Sequence, residues 1–198
     1  MKILITGANG FIGKHLTPRL LKEGHVVTLF LHNSSTPEES RIKYEKVIKG
    51  NLSSGEGLDQ VKWESIDAII HLACAGVKSS QRVWEHCINT NINGTENLIN
   101  SITNLEHPPL LVYPRTFYEN YLDQFPVLKN NPYMSTKKET TIRIERWSED
   151  NHNSRVCLPK IFQAYGPSDD SQNVLTYTIN QLKTNQNAEL SSGDGLRD

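Results

Sequence analysis

The sequence predicts an α/β fold in which a doubly wound parallel sheet is covered by helices on both faces. Short, nearly continuous apolar runs alternate with segments of helical periodicity along the 198 residues. Apolar runs of that kind are typical of strands buried on both faces of a sheet. The first run leads into a glycine-rich turn that opens a helix, as at the start of a β-α-β unit with a right-handed crossover.

The first half of the chain contains four predicted strands and one predicted helix. Residues 2–6, 25–31 and 67–74 are apolar runs that predict strands, and residues 44–52 can form another strand between the last two. Between the first two, residues 11–24 carry apolar side chains near helical spacing and end at Gly24, which suits the position after a helix. The serine-rich stretch 32–40 is predicted to be a loop.

The second half of the chain continues the alternation. Residues 83–104 have the apolar spacing of a long helix, and residues 109–113 predict a fifth strand. A further helix is predicted at 132–150 because Pro132 suits its first position. Residues 154–162 predict a sixth strand.

Composition and charge exclude several classes of function. The formal net charge is −1 and no basic run is present, so neither nucleic acid nor a membrane surface is an expected partner. No segment has the length of a signal core or a membrane span. We expect a cytoplasmic protein in which Cys74, Cys87 and Cys157 are free thiols. The scattered histidines predict no metal site.

The glycine-rich turn "TGANGFIG" predicts a phosphate-binding loop of a Rossmann-type sheet. Gly7, Gly10 and Gly13 follow the first strand and open the first helix. Glycines permit a tight turn and let a pyrophosphate approach the backbone, and the unpaired N–H groups at the helix start favour an anion. The alternative is a turn that merely needs small residues.

The glycine loop is one of six ordered motifs that span essentially the whole chain. Together with "DAIIHLAC", "NINGTENLI", "PYMSTK", "KIFQAYGP" and "SGDGLRD", it resembles the extended short-chain dehydrogenase/reductase superfamily, the NAD(P)-dependent epimerases, dehydratases and reductases of sugar nucleotides. The resemblance implies a nucleotide-sugar substrate and the following cofactor contacts: Gly7, Asn9, Gly10, Phe11, Ile12, Gly13, Leu72, Ala73, Cys74, Lys78, Asn91 and Ile161. It assigns Gln163 to the substrate, at a position where the family usually has asparagine.

The resemblance also implies that Tyr133 and Lys137 are catalytic. Their spacing of four residues puts both on one face of a helix. A free tyrosine has a pKa of about 10, and a nearby ammonium is expected to lower that pKa. Thr116 is the candidate for the hydroxyl that positions the reacting oxygen, since the serines usual after the fifth strand are absent. The alternatives are a solvated Tyr–Lys pair and a threonine in a turn.

The second strand predicts a modest preference for NADP(H), with NAD(H) still open. NAD enzymes usually end this strand with a carboxylate that binds the adenosine ribose, and here the segment reads "LFLHNSS". His32, Asn33, Ser34 and Ser35, with Arg41, are candidates to bind a 2′-phosphate. Asn51, followed by Leu52, stands where the family usually has aspartate, and both are assigned to the adenine end.

Within the superfamily, the short loop before Tyr133 most resembles the CDP-abequose or CDP-paratose synthases, which reduce 4-keto-6-deoxyhexose nucleotides for surface polysaccharide. Glu119 and Asp123 keep a dehydratase or an epimerase open as alternatives. A cofactor-binding sensor without turnover, or an inactive fragment, is the alternative outside the enzyme class. The resemblance implies a homodimer through the helices at 83–104 and 132–150.

The predicted domains are a nucleotide-binding domain at 1–166 and the start of a substrate-binding lobe at 167–198. In the family, "SGDGLRD" runs on into a longer C-terminal section, so we expect only part of that lobe in this chain.

Overall fold

The computed structural model describes residues 1–33, 44, 46–171 and 173–190. The chain divides into two compact units, Met1–Lys160 and Ile161–Asp198. The predicted loop residues 34–40 and the motif at 192–198 lie outside the described residues.

A six-stranded parallel sheet forms the centre of the first unit and confirms the predicted fold class. Its strand order is β3-β2-β1-β4-β5-β7. A second, two-stranded sheet consists of β6 and β8. The strands are β1 (Lys2–Thr6), β2 (Val26–His32), β3 (Lys46–Gly50), β4 (Ala68–His71), β5 (Leu110–Val112), β6 (Arg115–Thr116), β7 (Val156–Cys157) and β8 (Lys160–Ile161).

The strand order reverses between β1 and β4. The chain first builds outward through β2 and β3 and then returns to place β4 on the other side of β1. In open sheets of this kind, the crevice at the carboxyl ends of the strands beside the reversal is where dinucleotides bind. The candidate site is therefore expected beyond Thr6 and His71, which are opposite each other in the register of these strands.

The helices cover the sheet and provide the surface on which the site is built. Those of the first unit are α1 (Phe11–Lys22), α2 (Trp84–Cys87), α3 (Gly94–Asn100) and α4 (Pro132–Asp150), and α5 (Val174–Lys183) belongs to the second unit. Between α2 and α3, residues Ile88–Asn93 form a π-helical segment. The short 3₁₀ helices are Leu52–Ser54, Leu58–Gln60, Trp63–Ser65, Ser79–Gln81, Phe117–Asn120 and Pro126–Asn130. Among the described residues, no helix is long and apolar enough to cross a bilayer.

Two apolar clusters result from the alternation of side chains along the strands. Ile3 and Ile5 belong to one cluster, together with Val27. Leu4, between them, belongs to the other cluster, which also contains Ile144 of α4. Both faces of β1 are therefore buried, as the continuous apolar run predicted.

The sixth predicted strand, at 154–162, differs from the structure. It is divided into β7 and β8, and Pro159 lies between them. Proline has no N–H group for the ladder, so a strand cannot continue through it inside a sheet. The Pro159 carbonyl accepts a hydrogen bond from Arg115 N instead, at 2.8 Å. The two-residue strands and α5 carried no periodic signal long enough to be predicted.

Replacing Gly50 by alanine is expected to lower the free energy of unfolding by about 1–3 kcal/mol, the usual cost of overpacking. A Cβ atom there would lie 2.6 Å from Phe30 Cζ and would also clash with the carbonyl of Glu56. Gly24→Ala is the control, because nothing lies within 4 Å of its added Cβ and only the cost of its φ of +81° remains. Urea denaturation compares the two, and equal stability of Gly50→Ala and wild type would contradict the close approach.

Candidate functional site

The glycine loop between β1 and α1 has the shape that a phosphate requires. A Cβ on Gly7, whose φ is +70°, would lie 2.5 Å from Ala73 N, and a Cβ on Gly13 would lie 2.5 Å from Ala8 O. Gly10 precedes α1, and in the described structure no side chain caps this helix and no acidic residue lies in its first turn. Its first N–H groups therefore suit an anion, and the loop fits a dinucleotide.

The other residues assigned to this loop lie at its tip and at the start of α1. Asn9 is in the loop, and Phe11 and Ile12 are the first two residues of the helix. The ring of Phe11 packs edge-on against His15, with centroids 5.2 Å apart. Ile12 is partly exposed.

The segment after β4 lies between the glycine loop and α4. Leu72 N donates to Thr6 O at 3.1 Å, which continues the ladder past the end of β4. At the other end of the segment, a Cβ on Gly76 would lie 3.2 Å from Tyr133 Cβ. Leu72, Ala73 and Cys74 thus connect the predicted phosphate loop to the predicted catalytic helix.

A buried hydrogen-bond chain runs through His71, a residue that the sequence analysis did not single out. Thr95 Oγ1 donates to Asn91 O at 2.6 Å, so it accepts from His71 Nε2 at 2.9 Å. His71 Nδ1 then accepts from Thr6 Oγ1 at 2.6 Å, and Thr6 Oγ1 accepts from Ala73 N at 3.2 Å. Burial, with a smaller effect of Lys137, lowers the pKa of His71 to about 3. The imidazole is therefore neutral and its tautomer is set by its partners.

Asn91 joins the segment after β4 to α4 from within the π-helical segment. Its Oδ1 accepts from Ala75 N at 2.7 Å, and its Nδ2 donates to Ala75 O at 3.2 Å and to Thr136 Oγ1 at 2.9 Å. Thr140 Oγ1 lies 3.0 Å from Asn91 O. Asn91 is 2% exposed, so its contacts are those of a positioning residue inside the protein.

Tyr133 and Lys137 lie on one face of α4, as the sequence predicted. Asn131 caps the helix by accepting from Tyr133 N at 3.1 Å, which fixes where the helix begins. Lys137 Nζ donates to Pro114 O at 2.7 Å and lies 3.6 Å from the centroid of the Tyr113 ring. The pKa of Lys137 is lowered overall, because the effect of burial is larger than the opposite effects of Cys74 and Glu119.

The pKa of Tyr133 differs from the sequence expectation. We expected Lys137 to lower it, but in this structure it is raised, chiefly because the phenol is buried and also because of Cys74. A hydrogen bond with the side chain of Thr116 acts in the opposite direction. The reason is geometric: the Lys137 ammonium is directed to Pro114 O and to the face of Tyr113. Tyr133 therefore holds its proton at neutral pH.

Thr116 ends β6 and stands at the cap position of the 3₁₀ helix Phe117–Asn120. A buried carboxylate, which the sequence analysis had considered as a dehydratase acid, holds it there. Glu119, 4% exposed, accepts from Thr116 N at 3.2 Å, from Arg115 Nε at 2.8 Å and from Thr141 Oγ1 at 3.2 Å. Asp123, the other candidate acid, accepts from Lys138 Nζ at 2.6 Å on the surface. The acidic residue three positions after Thr116 is a capping-box pattern, a signal that could have identified the role of Glu119.

The adenosine end of the predicted site lies where β2 and β3 end. His32 is the last residue of β2, and Asn33 follows it with its Nδ2 donating to Glu56 Oε2 at 3.0 Å. Asn51 Oδ1 accepts from Ser53 N at 3.0 Å, so it caps a short helix whose Leu52 is buried. Ser34, Ser35 and Arg41 lie outside the described residues.

Three predicted residues remain to be placed. Lys78 is exposed and precedes the short helix Ser79–Gln81. Ile161 and Gln163 belong to the second unit, where Gln163 is exposed. No group of three or more metal-ligating side chains occurs in the part of the chain that the structure describes. The three cysteines are free thiols.

The sequence profile of the NAD dependent epimerase/dehydratase family matches residues 3–198. A UDP-N-acetyl-alpha-D-glucosaminuronate decarboxylase of Bacillus cytotoxicus is 33% identical over 105 residues, which are 50% of this chain and 32% of that protein. A CDP-abequose synthase of Salmonella muenchen is 22% identical over 197 residues, which cover 100% of this chain and 64% of that protein. The chain thus spans about a third to two thirds of the length of these relatives.

The fold is similar to that of a UDP-glucose 4-epimerase of Thermotoga maritima, whose crystal structure contains UDP-glucose. The TM-score is 0.81 at 20% identity, and the match covers 100% of this chain and 68% of that one.

His71 is expected to make the folded protein sensitive to acid. It is neutral when folded, with a pKa of about 3, and in the unfolded chain it takes up a proton below its ordinary pKa of 6.5. The contribution of His71 to the free energy of unfolding is fully present above pH 6.5 and is lost as the pH falls toward 3. Between pH 7 and pH 5 the free energy of unfolding of wild type should therefore fall by about 2 kcal/mol through this group.

Urea denaturation at both pH values, on wild type, His71→Phe and His71→Gln, measures this effect. Both variants should lack the acid-sensitive part, and His71→Gln should be the more stable at pH 7 because it keeps a donor and an acceptor. An unchanged pH dependence in both variants would contradict the buried neutral imidazole.

Proposed function

The chain belongs to the NAD-dependent epimerase/dehydratase family, and we propose that it transfers a hydride between a nicotinamide dinucleotide and a carbon of a nucleotide-linked sugar. In its most specific form the proposal is reduction of a 4-keto-6-deoxyhexose nucleotide. The resemblance to the CDP-abequose synthases supports this form, as does the match to one of them over the full length of this chain.

One observation carries the proposal. The phenol of Tyr133 lies partly buried beside the hydroxyl of Thr116, on the same helix face as a buried lysine and against the segment that follows β4. A Tyr–Lys pair on a solvated helix would lie in water. Thr116 and Lys137 are instead buried, with Tyr133 partly buried beside them. This arrangement next to a phosphate-shaped loop supports a reaction at this place.

The roles follow from the donors and acceptors that these residues offer. The glycine loop and the segment Leu72–Cys74 would hold the dinucleotide, which supplies or accepts the hydride when bound. Tyr133 keeps its proton at neutral pH and would donate it to the carbonyl oxygen of the sugar as that carbon is reduced. Thr116 would donate a hydrogen bond to the same oxygen. Lys137, whose ammonium donates to Pro114 O, would hold the nicotinamide ribose by hydrogen bonds.

The engagement of the two nearby carboxylates favours reduction over dehydration. A dehydratase requires acidic side chains that exchange protons with the sugar. Glu119 instead accepts hydrogen bonds from Arg115, from Thr141 and from the backbone of Thr116, and Asp123 is paired with Lys138. An epimerase, which requires no such pair, remains the closest enzymatic alternative.

A dinucleotide-binding module without turnover is a second candidate. The glycine loop would serve such a module as well as it would serve an enzyme, and the chain spans only part of the length of its curated relatives. The proposal also includes two domains, a nucleotide-binding domain at 1–166 and part of a substrate lobe at 167–198. It further includes a homodimer that forms through the long helices.

Replacing Tyr133 by phenylalanine should lower turnover by about 10²- to 10⁴-fold or more, because the proton donor is lost, and should leave dinucleotide binding unchanged. Turnover is measured as loss of reduced-nicotinamide absorbance with a CDP-linked 4-keto-6-deoxyhexose. Tyr121→Phe is the matched control: it keeps the ring that packs on Phe117 and Phe125, and full activity is expected.

Two results would overturn this assignment. Undiminished turnover in Tyr133→Phe would mean that another group donates the proton. A folded wild-type chain that binds the dinucleotide but turns over no nucleotide sugar would favour the binding module.

A further inference from the structure

We propose that Glu56 makes this chain prefer NAD(H) over NADP(H), because it supplies a carboxylate at the place where the adenosine ribose binds. The inference rests on the proposed function, since it concerns the cofactor of that site. The sequence predicted the opposite preference because no carboxylate stands at the end of β2, where the chain reads "LFLHNSS". In the structure a carboxylate reaches the end of β2 from another segment.

The end of β2 is defined by its pairing with β3. Asn33 directly follows β2, and its N–H group donates to Gly50 O, the carbonyl of the last residue of β3, at 3.1 Å. Asn33 therefore lies at the carboxyl edge of the sheet. A carboxylate at this edge is what binds the adenosine ribose in NAD-binding folds of this class.

The backbone of Glu56 is fixed beside this edge. The loop after β3 turns back on itself, so that Asn51 N donates to Glu56 O at 2.9 Å in an antiparallel bridge. Gly50 has no room for a Cβ next to that carbonyl. From the other side, Asn97 Nδ2 donates to Leu52 O at 2.8 Å and to Ser53 O at 3.2 Å, which anchors the loop to α3.

Asn33, which the sequence analysis assigned to a 2′-phosphate, orients the side chain of Glu56. Asn33 Nδ2 donates to Glu56 Oε2 at 3.0 Å, so the Asn33 amide faces the carboxylate. A carboxylate offers about four lone-pair sites, so acceptors remain for the hydroxyl groups of a ribose. Glu56 would thus take the part of the acidic residue that other chains carry at the end of β2.

A 2′-phosphate would meet the same carboxylate as a like charge. It carries roughly −1.5 to −2 charges at neutral pH, and repulsion between like charges a few ångström apart is only partly screened by water. Because both Asn33 and Glu56 are exposed, we expect a moderate effect, on the order of tenfold in relative affinity. Ser34, Ser35 and Arg41, which the sequence assigned to a 2′-phosphate, lie outside the described residues.

The experiment is an equilibrium titration of the purified chain with NADH and, separately, with NADPH, followed by reduced-nicotinamide fluorescence. Wild type should bind NADH roughly tenfold more tightly, and this preference should narrow as salt is added. Glu56→Gln removes the charge and keeps the shape of the side chain. Compared with wild type, this variant should bind NADPH more tightly and NADH less tightly. Glu64→Gln is the matched control: it precedes Asp67, which accepts from Lys2 N at the amino edge of the sheet, and it should keep the wild-type ratio.

The outcomes separate this inference from the function on which it rests. Tighter binding of NADPH by wild type, or an unchanged ratio in Glu56→Gln, overturns the role of Glu56 and leaves the proposed function standing. Failure of both nucleotides to bind a folded wild-type chain, with folding checked by circular dichroism, overturns the proposed function and the inference together.

Discussion

The arrangement of the site depends on the amide of Asn91, which is buried and hydrogen-bonded through both of its side-chain polar atoms between the segment after β4 and α4. Its side chain binds both backbone groups of Ala75 and the hydroxyl of Thr136. Because an unpaired buried amide is costly, these contacts are made together or lost together. They hold the segment after β4 against α4. The π-helical segment, whose altered pitch changes the direction of Asn91, makes this geometry available, and such segments recur at functional sites.

From Asn91 the same network continues to the glycine loop through His71. The carbonyl of Asn91, the hydroxyls of Thr95 and Thr6, and the imidazole between them form one directional chain that ends at Ala73 N. Every proton in the chain has an acceptor, so the imidazole has one tautomer and one orientation. The phosphate-shaped turn and the Tyr133 helix are therefore positioned by a single polar core, although Gly7 and Tyr133 are far apart in the sequence.

The charges at the site have separate roles that follow from burial. Glu119 is buried but compensated by Arg115, and it serves the backbone at Thr116. Lys137 is buried against a carbonyl and an aromatic face. Tyr133, whose pKa burial raises, holds its proton beside them. At the opposite end of the predicted dinucleotide site, Glu56 is exposed and brings a negative charge to the carboxyl edge of β2. The proton that Tyr133 keeps is the one that it would donate in the proposed reduction.

The sequence by itself determined the parallel sheet, the glycine loop, and the helix that carries Tyr133 and Lys137, because these features depend on local periodicity and on residues close together in the chain. It also brought out Asn91 and Thr116, by resemblance. Only the tertiary structure decided what surrounds them: the raised pKa of Tyr133, the chain through His71, and the engagement of Glu119. It likewise brought Glu56 to Asn33, 23 positions away in the sequence. Burial and long-range pairing leave no local sequence pattern. The same polar residue can be solvated, cap a helix or be buried against a partner without any difference in the sequence around it.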